Sequence, residues 1–305
     1  MKLLFIICLT HTTVALLINV AIPLRQNLFG IANKWKIQPT GDPPARIEEL
    51  DLPDSKQRLI VIGDVHGNLS PFNELLEKLN YNSSHDHLVL TGDIIGKGPQ
   101  SIEVLKKAKE VKAGCVRGNH DNLLIEWRQF LQQLSSSADK NPFPTDLKPK
   151  SPYYPLARKL DSELYEYLTS CPIILSVPRY SLYILHAGVD PTRPMVEQDA
   201  TVVMNVKNLL ADGTPTRHNK LGKHWSDLWN LKQEAIGENA TTIVYGHQAS
   251  RGLNIKPYSI GLDTGCVYGR QLTAMVFPGN ELFSVNCDKH ARKPFSYLPI
   301  FEDFF

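Results

Sequence analysis

From residue 58 onward, short apolar runs alternate with amphipathic stretches, and this pattern predicts strands separated by helices. Residues 59–62 and 87–90 are largely apolar runs, which are typical of strands buried on both faces. Apolar side chains recur at helical spacing between these two runs. A second helix is predicted over about 100–112, and a third strand over 113–116. Strands that alternate with helices in this way imply parallel pairing through right-handed crossovers.

Polar side chains follow the predicted carboxyl end of each of these strands. Asp64 and His66 follow the first strand, Asp93 follows the second, and Asn119 and His120 follow the third. The intervals of 29 residues from 64 to 93 and of 26 residues from 93 to 119 each fit one crossover. Because ligands bind at the carboxyl edge of the strands in open α/β sheets, we expect these side chains to share one site.

Two later segments repeat the arrangement. The apolar run 182–185 ends in His186, and the run 242–245 ends in Gly246 and His247. Taken singly, an Asp after a strand most often belongs to a turn, and a His is most often a satisfied polar residue. Five strand ends that carry only Asp, His and Asn instead favour one shared metal site, because these side chains offer nitrogen and oxygen ligands.

The amino-terminal segment differs from the rest of the chain. From Leu3 to Ile22 there are 20 uncharged residues, 15 of them apolar, which is long enough to cross a bilayer as a helix. We predict a retained signal-anchor helix, with a cleaved signal peptide and a buried helix as alternatives. Proline-rich residues that lack periodicity follow. The predicted division of the chain is a signal anchor over 1–22, a linker over 23–57, a domain over 58–290 and a tail over 291–305.

Composition and charge narrow the function classes. With 42% hydrophobic and 21% charged residues, the chain can bury a sizeable core, which excludes wholesale disorder. A formal net charge of +2 argues against bulk electrostatic capture of nucleic acid. We therefore expect no nucleic-acid partner, and no feature of the sequence calls for a protein partner.

Cysteine usage points to neither disulfides nor a structural zinc site. The cysteines are odd in number and scattered, and no C-x-x-C motif occurs. Cys115 and Cys266 lie on strand-like segments and are predicted to be small buried side chains. The five positions are Cys8, Cys115, Cys171, Cys266 and Cys287.

The motifs together resemble the calcineurin-like metallophosphoesterases over about residues 58–287. Within that superfamily, 92–99 and 262–269 are similar to the bacterial symmetrical diadenosine tetraphosphatases. The amino-terminal segment and 246–254 are similar to the fungal vacuolar endopolyphosphatases. The resemblance implies an α/β fold, a four-layer αββα sandwich of two mixed sheets flanked by helices. The motifs that carry it are Gly63-Asp64-Val65-His66-Gly67-Asn68, Gly92-Asp93, Gly118-Asn119-His120-Asp121, His186 and Gly246-His247.

The resemblance also implies roles for individual residues. Nitrogen and oxygen ligands suit two zinc, manganese, cobalt or iron ions better than calcium. His120 would be the general acid, and Asp121 would either support it or cap the following helix. Asp64, His66 and Asp93 would bind one metal, with Asp93 bridging to a second metal held by Asn119, His186 and His247.

One loop departs from the pattern of the protein serine/threonine phosphatases of this superfamily. There the loop after the second strand carries an Asp that orients the acid His, followed by an Arg that holds phosphate. Gly96 and Lys97 occupy those two places here. A phosphate that leaves from an anhydride needs less protonation than an alkoxide, so we expect phosphoanhydrides to be better substrates than phosphoserine esters.

Basic residues are candidates for substrate binding. Lys97 and Arg251 flank motif residues, and Arg217 and Lys220 lie in the segment 217–224, which has no acidic residue. We predict that these four side chains contact phosphate groups. A solvated surface loop is the alternative for 217–224. Trp225 and Trp229 lie at helical spacing after this loop and are predicted to be core, with stacking on adenine as the alternative.

The leading hypothesis is a membrane-anchored endopolyphosphatase that cleaves inorganic polyphosphate by two-metal activated hydroxide attack. The alternatives are a symmetrical dinucleoside tetraphosphatase, a serine/threonine protein phosphatase and a catalytically dead binding or scaffold protein. The expected location is the vacuole membrane with the catalytic domain in the lumen, or secretion after cleavage. Three sequons are compatible with a lumenal domain, namely Asn68, Asn82 and Asn239, although a glycan on Asn68 would crowd the metal site.

Overall fold

The computed structural model describes residues 36–37, 44–136, 147 and 151–290. The signal anchor predicted over 3–22 and the tail predicted over 291–305 lie outside these residues. Within the described ranges, no helix has both the length and the apolar character required to cross a bilayer.

Helices follow the strands in the order that the sequence predicts. Ser101–Glu110 is shorter than the predicted 100–112 but lies in the same place. The described residues also form three 3-10 helices of three residues each, at 178–180, 195–197 and 237–239. The α-helices of the described residues are α1 (Leu69–Lys78), α2 (Ser101–Glu110), α3 (Asn119–Ser136), α4 (Tyr153–Lys159), α5 (Ser162–Ser170), α6 (Ala200–Asn205) and α7 (Trp225–Ile236).

Strands occur wherever the sequence predicts them, together with several that it did not indicate. Those of the described residues are β1 (Ile47–Glu49), β2 (Arg58–Ile62), β3 (Asp86–Leu90), β4 (Gly114–Cys115), β5 (Ile174–Val177), β6 (Leu182–Leu185), β7 (Asn208–Leu209), β8 (Pro215–Thr216), β9 (Lys223–His224), β10 (Thr242–Tyr245), β11 (Asn254–Lys256), β12 (Ser259–Gly261), β13 (Gln271–Phe277) and β14 (Glu281–Asn286).

Two mixed sheets form the centre of the domain. One has the order β14-β13-β2-β3-β4, with β2, β3 and β4 parallel. The other has the order β1-β5-β6-β10-β12-β11, with β6, β10 and β12 parallel. A small antiparallel sheet, β8-β7-β9, lies outside these two and was not predicted. Its strands have only two residues each, too few to show a periodic pattern.

The two large sheets pack face to face between helices. Leu59 and Val61 of β2 belong to the same buried cluster as Ile184 of β6 and Val244 of β10. The alternate β2 residues, such as Ile60, belong instead to the cluster formed with helices α1 to α5. Since successive side chains of a strand point to opposite faces, both faces of β2 are buried. The predicted α/β fold of mixed sheets and helices is thereby confirmed.

Part of the segment predicted as a linker belongs to the sheet. Ile47–Glu49 forms β1 and pairs in parallel with β5. Ala45 and Leu52 on either side of it are buried. A three-residue strand with two glutamates shows no apolar run, so the hydrophobic pattern did not indicate it.

The prediction that disulfides are absent is wrong. Cys115 is bonded to Cys171, and Cys266 to Cys287. The partners are 56 and 21 residues apart in sequence, so only the folded chain brings them together. Cross-links of this kind each contribute about 2–4 kcal/mol of stability and are retained in oxidising compartments.

Candidate metal centre

The carboxyl ends of strands from both large sheets meet at one edge of the domain. Asp64 follows β2, Asp93 follows β3 and Asn119 follows β4 in one sheet. His186 follows β6 and His247 follows β10 in the other. The structure therefore brings the predicted ligand residues together, as the position of each one after a strand implied.

Four of these side chains direct nitrogen or oxygen atoms at a common point. The Nε2 atom of His186 lies 3.1 Å from Oδ1 of Asn119 and 3.4 Å from Oδ1 of Asp93. The Nδ1 atom of His247 lies 3.1 Å from Oδ1 of Asn119 and 3.2 Å from Nε2 of His186. Ligand atoms at zinc-type bond lengths in a tetrahedral site are roughly 3.3 Å apart. The spacing of the four atoms thus fits a bound cation.

A second group of ligand atoms shares Asp93 with the first. The Nε2 atom of His66 lies 3.4 Å from Oδ2 of Asp93 and 3.8 Å from Oδ2 of Asp64. His66 donates from Nδ1 to the carbonyl oxygen of Ile95 at 3.0 Å, which directs the lone pair of Nε2 toward the carboxylates. The two oxygens of Asp93 therefore face different histidines, as a bridging carboxylate requires. The ligand roles themselves remain predictions.

Strained backbone positions the ligands. His66, Asp93 and His247 adopt φ values of 47°, 49° and 70°, in the left-handed region that L-residues rarely occupy. Each such residue costs on the order of 1–3 kcal/mol. Strain at three predicted ligands of one site indicates that the surrounding fold holds them in place for binding.

Two glycines allow the ligands to approach the backbone. A Cβ atom at position 246 would lie 2.0 Å from Oδ1 of Asp64, and one at position 118 would lie 2.2 Å from the amide nitrogen of Asp93. Any side chain at either position would push a ligand away. Both glycines belong to the sequence motifs, and these close contacts explain why the motifs have glycine at positions 118 and 246.

Burial and neighbouring charges shift the pKa values of the predicted ligand residues. Burial, followed by the charge of Asp263, raises the pKa of Asp64 well above its ordinary value. Although burial alone would lower it, the pKa of His186 is raised to about 10, chiefly by Asp93. In the metal-free chain, a proton on His186 thus supplies positive charge where the ligand atoms converge, and a proton on Asp64 removes a negative charge. Asp263, 6% exposed, lies in the quoted 262–269 motif, but the sequence did not single it out.

The structure distinguishes between the two roles predicted for Asp121. Its carboxylate accepts hydrogen bonds from the amides of Gly118 at 3.0 Å, Ile94 at 3.0 Å and Ile95 at 3.3 Å. It therefore braces the loop after β3 against the start of α3. Its bond from the amide of Gly118, just before α3, is that of a helix-capping side chain. It is not hydrogen-bonded to His120, whose Nδ1 atom instead contacts the hydroxyl of Tyr153.

The candidate substrate residues differ in their distance from the ligands. The ammonium group of Lys97 lies 3.2 Å from Nε2 of His66 and 5.6 Å from the centroid of the Tyr268 ring. Arg251 donates to Gln248 at 2.7 Å, next to His247 in sequence. By contrast, the two other candidates are exposed and lie on the loop between β8 and β9, namely Arg217 and Lys220.

Lys207 is a cation that the sequence analysis missed. It precedes β7, and its charge contributes to the lowered pKa values of His120 and His247, for both of which burial is the largest cause. Lys207 belongs to no motif and to no basic run, so no sequence signal distinguished it from other lysines.

Comparison with known proteins agrees with this geometry. A bis(5'-nucleosyl)-tetraphosphatase [asymmetrical] of Oceanobacillus iheyensis is 31% identical over 78% of this chain and 94% of its own length. A zinc-dependent endopolyphosphatase of Saccharomyces cerevisiae is 29% identical over 73% of this chain and 76% of its own. A crystal structure of a candidate diadenosine tetraphosphatase superposes with a TM-score of 0.65 and 32% identity, covering 80% of this chain and 99% of that one.

Two facing mixed sheets with a carboxylate–imidazole cluster at their carboxyl edge define a two-metal α/β protein. The chain belongs to the calcineurin-like phosphoesterases, whose family model matches residues 57–279. Members of this family use a dinuclear divalent metal site, and the His and Asp clusters of this chain fit one.

We expect the full-length protein to bind about two divalent ions per chain, measured by equilibrium dialysis and elemental analysis. His247→Ala removes a ligand from one group of atoms only, so its metal content should fall to about one ion per chain. Because a metal must displace the proton that the raised pKa places on Asp64, affinity should fall as the pH is lowered. The matched control is His85→Ala at an exposed position, and an equal loss of metal in both variants would contradict the assignment.

Proposed function

We propose that this protein is a metal-dependent phosphoanhydride hydrolase that cleaves inorganic polyphosphate internally. The observation that supports the proposal is a pair of ligand groups that share Asp93 and fit two metal ions. Three cations lie near these groups, namely Lys97, Lys207 and Arg251. The yeast zinc-dependent endopolyphosphatase among its relatives supports the substrate class.

Different residues of the site serve metal binding and assistance to the leaving group. Bound divalent ions supply Lewis-acid stabilisation of a phosphoryl oxygen and activation of the attacking water. Asp64, His66, Asp93 and the residues facing them would hold those ions. His120, with its Nε2 atom 3.9 Å from Oδ2 of Asp93, directs this nitrogen toward the ligand cluster, where it can serve the departing oxygen.

The cations are placed to bind a polyanion. Lys97 reaches the ligand cluster, and although burial alone would lower it, the pKa of its ammonium group is raised by Tyr268 and by carboxylates such as Asp93. Its ammonium group therefore stays charged. Arg251 donates to the Oδ1 atom of Asn208 at 3.2 Å, and Asn208 in turn donates to the carbonyl of Leu221 at 2.9 Å. This chain of contacts ties the basic loop to the edge of the site.

The loop that carries Gly96 favours an anhydride over a phosphoester. A carboxylate at this position would help a histidine to protonate a basic alkoxide, but glycine has no side chain to do so. A phosphate leaving group is much less basic and needs less protonation. The protein phosphatase alternative is therefore disfavoured.

A dinucleoside tetraphosphatase is the second candidate. Trp225 and Trp229 are buried in the core, as predicted, and are not available to stack on a nucleobase. Tyr268 is only partly buried and lies beside Lys97, so it offers an aromatic face at the site. The tetraphosphatases among the relatives support this candidate. A dead scaffold is disfavoured because all six predicted ligand residues are present.

We also propose that the catalytic domain lies in an oxidising compartment, with the vacuole lumen as the specific hypothesis. Two disulfides support the oxidising environment, and residues 3–22 support attachment to the membrane. The side chains of Asn82 and Asn239 are exposed, whereas Asn68 is 1% exposed and donates from Nδ2 to the carbonyl of Val65.

Glycan occupancy tests this location. In cells that pass the full-length protein through the secretory pathway, endoglycosidase should increase its gel mobility. Asn82→Gln combined with Asn239→Gln should abolish the shift, because these sequons are exposed. Asn68→Gln is the matched control and should leave the shift unchanged. A chain with no glycan and with free thiols would contradict the proposal.

Product analysis tests the activity. Full-length protein with zinc or manganese should convert long-chain polyphosphate into intermediate lengths, resolved by gel electrophoresis, because internal anhydride bonds are the proposed targets. The value of kcat/KM should be higher for tripolyphosphate than for a phosphoserine peptide. Release of terminal phosphate alone would contradict internal cleavage. Rapid conversion of diadenosine tetraphosphate without cleavage of polyphosphate would favour the second candidate.

Chain-length dependence tests the basic loop. Removing two exposed charges with Arg217→Ala and Lys220→Ala should raise KM for long polyphosphate about 3-fold to 10-fold, as expected for exposed charge contacts. KM for tripolyphosphate should change little, because a short chain does not reach the loop. Lys106→Ala with Lys109→Ala removes the same charge from α2 and should leave both KM values unchanged. An equal rise at every chain length would exclude a polyphosphate track.

A further inference from the structure

The imidazole of His120 is held on its two sides by different groups. Its Nε2 atom faces the ligand cluster, 3.9 Å from Oδ2 of Asp93. Its ring packs edge-on against His66, with centroids 5.0 Å apart. The opposite nitrogen, Nδ1, is in hydrogen-bond contact with the hydroxyl of Tyr153. The orientation of the ring therefore involves a residue from α4, outside every motif.

Tyr153 is built into the domain rather than lying on its surface. The residue is 4% exposed and belongs to the core cluster that includes Trp127 and Phe130. Burial raises the pKa of Tyr153 above its ordinary value, so its hydroxyl keeps its proton. A protonated hydroxyl on a fixed ring can donate a hydrogen bond to Nδ1 of His120.

Gly96 is the residue that admits this hydroxyl. A Cβ atom at position 96 would lie 2.4 Å from Oη of Tyr153 and 3.3 Å from Nδ1 of His120. The backbone there has a φ of 87°, which also favours glycine. The space that a side chain of this loop would fill is thus taken by the end of Tyr153.

Asp121 is the carboxylate nearest to His120 in sequence, but it is not available to orient the imidazole. Its Oδ1 atom accepts from the amides of Ile94 and Ile95, and its Oδ2 atom accepts from the amide of Gly118. Among the residues that the structure describes, the hydrogen-bond partner recorded for Nδ1 of His120 is the hydroxyl of Tyr153.

We propose that Tyr153 is the positioning residue for His120, donating from its hydroxyl to Nδ1 so that Nε2 carries the proton that meets the departing oxygen. In the cleavage, the oxygen of the attacking water forms a bond to phosphorus and loses a proton to solvent, while the bond from phosphorus to the departing oxygen breaks. The electron pair of the broken bond stays on the departing oxygen, which accepts a hydrogen bond from Nε2–H. A phenol brings no negative charge, which suits a weakly basic leaving phosphate. That preference rests on the proposed function, whereas the positioning role requires only that His120 serves the leaving group.

Tyr153→Phe tests the proposal because it removes the hydroxyl and keeps the ring. We expect kcat of the metal-loaded, full-length enzyme to fall about 10-fold on phenyl phosphate, a part of what an acid group contributes, with KM unchanged. On 4-nitrophenyl phosphate, whose leaving group needs little assistance, kcat should fall less than 2-fold by the same reasoning. The matched control is Tyr81→Phe, which removes a hydroxyl bonded to the carbonyl of Val111 and should change neither rate.

Aryl phosphates keep this test separate from the identity of the natural substrate. If polyphosphate is not cleaved but the two aryl phosphates respond differently to Tyr153→Phe, the proposed function fails and the positioning role stands. Equal losses on both substrates would show a merely structural role and would overturn the proposal, as would no loss on either.

Nitrogen-15 spectroscopy of the unmodified protein gives a readout that does not depend on the variant folding. The imidazole signals of His120, assigned by their absence in His120→Gln, should show the proton on Nε2 and an acceptor at Nδ1. A proton on Nδ1 would mean that the Tyr153 hydroxyl accepts instead, and this result would overturn the proposal.

Discussion

The site depends on one electrostatic constraint, the packing of lone-pair atoms from Asp93, Asn119, His186 and His247 at separations of 3.1–3.4 Å. Such a group is stable in a buried place only when positive charge lies among its members. Without metal, a proton on His186 supplies that charge because, although burial alone would lower it, the pKa of His186 is raised to about 10 by Asp93. The same constraint makes a divalent cation the natural occupant.

Much of the surrounding architecture follows from bringing these atoms together. Two sheets must face each other so that strand ends from both reach one edge, and the loops after the strands must turn sharply there. The loops achieve these turns through the left-handed backbone conformations of His66, Asp93 and His247. The glycines at positions 118 and 246 leave room for the ligands to approach the backbone. The carboxylate of Asp121 adds rigidity by accepting hydrogen bonds from amides in the loops after β3 and β4.

The sequence predicts those features that a strand and its following residues carry locally. Asp64 and His186 could be placed because each directly follows an apolar run, and the helices between the first three strands were periodic. Features created by tertiary contact had no such signal. The bond between Cys115 and Cys171 joins residues 56 positions apart. The short strands around Lys207 show no period, and Tyr153 meets His120 only because α4 packs against α3.

The phenol beside His120 connects the metal site to the choice of leaving group. Burial, followed by the charge of Lys97, lowers the pKa of His120 to about 3. A carboxylate on Nδ1 would oppose that shift by stabilising the imidazolium, whereas the neutral hydroxyl of Tyr153 does not. The cations proposed to bind a polyanion and the phenol proposed to orient the ring therefore act in the same direction. Both favour a neutral, hydrogen-bonding imidazole over an imidazolium at neutral pH, which agrees with the proposed preference for phosphate leaving from an anhydride over an alkoxide.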